Sequence, residues 1–169
     1  MDRHQLMNLS APDAVVALRS YARRFRELFS PAEAQGEDLD VAAVGRDGWS
    51  VGALLAAIDG HLAAVAAGLG RSLTVDEPAL PALFERPTPG AAAGHAPVEV
   101  GPGLAKLEAT VLEAAGLVER TAPRDWSRPA QVGGAASTAH ELLRELIAYG
   151  RTALDLLARA VADARRAAN

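Results

Sequence analysis

The sequence predicts an all-α protein, a four-helix bundle with a long crossover between helices two and three. Three observations carry that expectation. Half of the 169 residues are hydrophobic but only 4% are aromatic, so the core must be built from Ala, Leu and Val, and Ala and Leu favour helix over strand. Runs of β-branched and aromatic residues, the usual strand signal, are nearly absent. Apolar residues recur at three- and four-residue steps in four separate stretches, which is the period of an amphipathic helix. A chain of this length suits one domain with a sizeable core, so residues 1–169 are read as a single unit.

Residues 1–9 read as a frayed leader. Ser10-Ala11-Pro12-Asp13 then starts a helix over about 11–29. Ser10 can cap it, Pro12 fits the first turn, and Asp13 sits at the positive end. Val15, Leu18, Ala22, Phe25 and Phe29 share one face, and Arg19, Arg23, Arg24, Arg26 and Glu27 occupy a solvated one. Ser30-Pro31 ends this helix, and an acidic connection with Glu33, Glu37, Asp38 and Asp40 follows.

The second helix, about 50–69, organises the rest. Ser50 caps it. Leu54, Ile58, His61 or Leu62, Val65 and Leu69 form a buried stripe, and Gly68 or Gly70 is expected to stop it. Gly52 and Gly60 each cost about 1 kcal/mol relative to Ala inside a helix, which predicts a close backbone neighbour or a ligand at both. The segment 71–103 is rich in Pro and Gly and reads as a long loop, with a short turn around 78–84. Such a loop is a crossover or a functional lid. Helix three, about 103–120, carries Leu104, Leu107, Val111, Ala114 and Val118 on one face. An irregular stretch holding Trp126 precedes helix four. Thr138-Ala139-His140-Glu141 is a capping box, and the helix runs to about Ala167 with Leu142, Leu146, Tyr149, Ala153, Leu157 and Ala160 as its seam.

The balance of charge excludes several functions. The formal net charge is -4, which argues against a nucleic-acid partner. There is no cysteine, so disulfides, thiolate metal sites and a Cys nucleophile are excluded. No run is expected to span a membrane, and the polar N-terminus lacks a signal-peptide core. The expected setting is cytoplasmic. No Ser-His-Asp arrangement, phosphate-cradling loop or dinucleotide fingerprint is present, and GPG at Gly101–Gly103 reads as a turn.

Trp49-Ser50 at the start of helix two resembles the motif of DinB-like proteins, which include mycothiol-dependent maleylpyruvate isomerases. Asp125-Trp126, the Gly-containing loop after it, and Asp155-Leu156 in helix four extend the resemblance over roughly residues 10–165. It implies a four-helix bundle with a divalent metal held by three side chains, used in many members to activate a low-molecular-weight thiol. The implied ligand positions fall here on Ala57, Ala148 and Thr152. None of these is an ordinary zinc or nickel ligand. His61 lies one turn beyond Ala57 and lacks two partners. The chain therefore resembles a member without the metal, and no metal or other cofactor is expected.

The candidate site is accordingly a pocket left at the former metal position. His61 could act as general acid or base; the plain alternative is a partly buried histidine bonded to a carbonyl or carboxylate. Asp155 and Tyr149 are its candidate catalytic partners. Glu145, Ala148, Thr152 and Asp155 share one flank of helix four with Glu141, which either lines the cavity or is a solvated face paired with Arg144, Arg151 and Arg159. Trp49, Ala57, Ala148, Thr152 and Glu145 are the candidate ligand contacts. Two functions follow as expectations. One is a metal-independent enzyme, an isomerase, cyclase or transferase acting on a small apolar metabolite. The other is a non-catalytic ligand- or partner-binding bundle, in which a homodimer is allowed.

Overall fold

The computed structural model describes residues 9–30, 44–45, 48–82 and 96–168. The chain order is α1 (Ala11–Glu27), α2 (Val51–Thr74), β1 (Ala79–Leu80), α3 (Val100–Arg120), a 3₁₀ turn (Pro123–Ser127), β2 (Pro129–Val132), β3 (Ala135–Thr138) and α4 (Ala139–Ala168). Residues 1–8 of the leader, the acidic connection from 31 to 43, His4 and His95 lie outside the described residues.

α1, α2 and α4 start at their capping residues. Ser10 Oγ accepts the Asp13 N–H at 3.2 Å, and Ser50 Oγ accepts the Ala53 N–H at 3.3 Å. The capping box closes reciprocally: Glu141 N–H donates to Thr138 Oγ1 at 3.2 Å and Thr138 N–H to Glu141 Oε2 at 2.9 Å. α3 begins three residues earlier than its apolar stripe suggests. Gly101, Pro102 and Gly103 form its first turn, where a missing proline N–H has no partner to lose. α2 likewise runs through Gly68 and Gly70. Neither adopts the positive φ of a terminating glycine; Thr74 Oγ1 donates to the Gly70 carbonyl at 3.0 Å. The helix ends only as Pro78 approaches and Glu77 takes φ 44°.

The four helices form a bundle. α3 and α4 each pack on both α1 and α2. Cross-helix pairs give the directions. Gly52 meets Val98, Asp59 meets Lys106 and Gly70 meets Leu117, so α2 and α3 run parallel. Arg26 pairs with Glu108 and Arg19 with Glu119, so α1 and α3 are antiparallel. Tyr21 reaches Ile147, and the Leu28 carbonyl meets Arg165, so α1 and α4 are parallel. The connection between α2 and α3 is therefore the expected crossover, and the bundle is up-down-down-up.

The stretch read as irregular holds structure. β2 and β3 form an antiparallel hairpin with Val132 opposite Ala135, and β1 adds parallel to β2. Gly133 and Gly134 have φ of 56° and 82°, the two positive values a type I′ hairpin turn requires. Arg128 ties this sheet to the end of α2, donating to the Ser72 carbonyl at 3.2 Å and pairing with Asp76 at 2.7 Å.

α2 corrects the expectation about membranes. Its 24 residues are long and apolar enough to cross one, although 61% of the relevant window is buried within the bundle. Ala, Leu, Val and Gly fill the helix, and α3 and α4 cover most of it, leaving Gly60, Ala63, Ala67, Arg71 and Thr74 as an exposed stripe. The two interior glycines also differ. An added Cβ at Gly52 would lie 2.5 Å from the Val98 carbonyl oxygen, whereas one at Gly60 would meet open space.

Candidate functional site

The seam between α2 and α4 brings two of the predicted residues together. The rings of His61 and Tyr149 lie with centroids 3.9 Å apart, tilted by 35°. His61 is half-buried on α2, and Tyr149 is buried on α4. The helices are antiparallel here, so positions one turn before His61 face positions one turn after Tyr149. That places Ala57, buried at 4% exposure, near the level of Thr152. Thr152 is half-buried and its Oγ1 donates to the Ala148 carbonyl at 3.2 Å. Its hydroxyl proton is thus used within its own helix.

The other predicted partners lie elsewhere. Glu145 and Asp155 are exposed, and Ala148 is half-buried. The Asp155 charge acts on the Tyr21 phenol of α1. On that flank Glu141, Glu145 and Asp155 are exposed, whereas Ala148 and Thr152 are half-buried. Trp49 is buried at 4% exposure and packs over the end of the bundle, where it borders a notch with Gly45, Leu54, Leu156, Ala160 and Asp163. The notch has room for about one water molecule at most.

His140 has a structural partner: its Nε2 lies 2.9 Å from the Leu9 carbonyl oxygen. Leu9, read as part of a frayed leader, is buried.

The metal implied by the sequence resemblance does not fit the donor set. Two aliphatic side chains and one back-bonded threonine occupy the implied positions. Among the described residues, no group of three or more His, Asp or Glu side chains is placed to hold an ion.

Two polar centres were missed by the sequence reading. Asp59 is 4% exposed between α2 and α3. Lys106 Nζ lies 2.9 Å from its Oδ2, and Thr110 Oγ1 donates to its Oδ1 at 2.7 Å. The signal was available: Asp59 is the one acid in α2, and such a group needs a cation or donors. The second is Tyr21, whose Oη donates to the Ile147 carbonyl at 3.0 Å. Burial raises its phenol above the ordinary tyrosine value; Arg24 and Arg151 oppose that shift and Asp155 adds to it. Its ring fills the space beside Gly150, where an added Cβ would lie 2.7 Å away.

No protein-family model, curated protein or solved structure matches this chain. The functional reading therefore rests on the residues of the seam.

Proposed function

We propose that this chain is a metal-independent small-molecule-binding bundle, and that an apolar metabolite is held on the α2–α4 seam against His61 and Tyr149. The observation that supports this reading is the ring pair itself. A half-buried imidazole stacked on a phenol offers a flat apolar surface with a polar edge. Ligand sites combine those two features: apolar area for affinity and a few polar groups for orientation. Ala57 and Thr152 leave that stretch of the seam with small side chains.

Binding asks less of this geometry than catalysis does. An isomerase, cyclase or transferase would need a second titratable group beside His61. Tyr149 stands there, whereas Asp155 is exposed on α4. The enzyme reading would thus assign proton transfer to His61 and Tyr149.

The test is a thermal-shift screen of apolar metabolites, low-molecular-weight thiols and divalent metals against the native protein and His61→Ala. A shift with an apolar compound, lost in the variant, is the expected result. Stabilisation by zinc or nickel in the native protein would refute the metal-independent reading. Each stabilising compound is then followed for chemical conversion, and turnover would move the conclusion to the enzyme.

A further inference from the structure

The ring pair on the α2–α4 seam constrains the shape of what can lie against it. The centroids of His61 and Tyr149 are 3.9 Å apart and the planes are tilted by 35°. At that separation the rings overlap through their faces, because an edge-to-face pair holds its centroids further apart. Tyr149 is buried, so the phenol is the inner layer. His61 is half-buried, so the imidazole is the outer one. Its neighbours on α2 keep that outer side low. Gly60 precedes it, with open space where a Cβ would stand. Ala57 and Ala64, one turn to either side, reach no further than a methyl group.

The hydroxyl at this level has one kind of bond left to give. Leu54 and Leu156 line the same notch, which fixes the register of the two antiparallel helices. Thr152, one turn before Leu156, therefore stands at the level of Ile58. Helical side chains lean toward their own N-terminus, so His61 and Thr152 lean toward each other's level. Thr152 Oγ1 donates its proton to the Ala148 carbonyl at 3.2 Å. What remains is acceptor capacity.

From these features we infer that the ligand of the seam is a planar aromatic or conjugated molecule with an N–H or O–H donor on its edge. This rests on the binding reading above and narrows it from apolar metabolites in general. The flat ring lies on the outer side of His61 as a third layer over Tyr149, and Thr152 Oγ1 accepts its donor. A saturated ring of the same size is puckered, and its axial hydrogens hold it off the imidazole plane. It also lacks the charge distribution that favours one aromatic ring on another. A ligand edge that carries only acceptors meets a threonine oxygen whose proton is already used.

Three probes with one double-ring skeleton separate the parts. 2-Naphthol is planar and carries the O–H. 2-Methoxynaphthalene is planar and carries none. Decahydro-2-naphthol carries the O–H on a puckered skeleton. Each is titrated into the native chain, Thr152→Val and Thr152→Ser, with the ring resonances of His61 and Tyr149 as the readout. In the native chain 2-naphthol is expected to bind about fivefold more tightly than either other probe and to move the His61 ring protons upfield. Thr152→Val should lower its affinity to that of the methoxy compound, whose own affinity stays unchanged, and Thr152→Ser should keep the preference.

Equal affinities for 2-naphthol and decahydro-2-naphthol would overturn the planar requirement and leave the binding reading standing. Equal affinities for 2-naphthol and 2-methoxynaphthalene in the native chain would overturn the donor requirement in the same way. Binding of none of the three overturns the inference; the binding reading falls with it when the broader apolar screen is also blank.

Discussion

The α2–α3 seam and the α2–α4 seam share one helix, yet different chemistry holds each. Asp59 and His61 are two residues apart in sequence and face different neighbours. Asp59 turns into the parallel contact with α3, where Lys106 and Thr110 hold its carboxylate. His61 turns to the antiparallel contact with α4, where its partner is the ring of Tyr149. The first seam is also closed by backbone, with the Val98 N–H donating to the Gly52 carbonyl at 3.4 Å. The second is bordered by small side chains and the notch beside Trp49. A buried charge with its ligands already supplied by the protein has little left to offer a substrate. The half-buried His61, backed by the buried Tyr149 ring, retains a surface to offer, so polarity alone is a poor guide to where chemistry resides.

The comparison can be broken at its tightest point first. Gly52→Ala forces a Cβ against the Val98 carbonyl. Overpacking of that kind should cost about 3 kcal/mol despite the better helix former. Urea unfolding measures the loss, and an unchanged midpoint would show that the α2–α3 approach is looser than described. Gly60→Ala, which meets open space, is the matched control and should stabilise by about 0.5–1 kcal/mol.

The polar clasp comes next. Asp59→Ala strands the Thr110 hydroxyl and removes a buried acceptor, and is expected to cost about 2 kcal/mol. Lys106→Ala should cost about 0.5–1 kcal/mol, because the lysine side chain is 76% exposed and solvent already screens it. Equal losses in the two variants would mean that the carboxylate depends on the ion pair more than on Thr110.

The smallest expected effect sharpens the contrast with a third seam, between α1 and α4. Tyr21→Phe removes one hydrogen bond and should cost about 1 kcal/mol at neutral pH. The phenol is raised in the folded state, so its contribution is complete below the ordinary tyrosine pKa and disappears as pH rises through the raised one. The difference between native and variant stability should shrink in that alkaline window. A difference independent of pH would assign the loss to packing.

How much of this was legible in the sequence depends on the residue. Ser10, Ser50 and the Thr138–Glu141 box announced helix starts because caps act within four residues. The crossover was legible because a Pro-rich segment separates two apolar stripes. The hairpin was not: Ala, Gln and Ser carry little strand signal, and only the Gly133-Gly134 pair marked its turn. The last turn of α2 was missed because Gly70 looked like a stop, whereas Ser72 and Thr74 bond back to the helix. His61 and Tyr149 were picked from their helical stripes, and their meeting needed only antiparallel packing. Asp155 shows the limit of that approach. Its spacing placed it on a flank of α4, but which neighbour covers that flank is a tertiary fact.

The account stands most directly on the ring resonances of His61 and Tyr149, followed by NMR while apolar metabolites and zinc are titrated in turn. It predicts that a stabilising apolar compound shifts both rings together, leaves Lys106 and Thr110 unmoved, and loses its effect in His61→Ala, while zinc shifts neither ring. Saturable zinc binding at His61, or an apolar ligand that perturbs the Asp59 clasp and spares the ring pair, would contradict it.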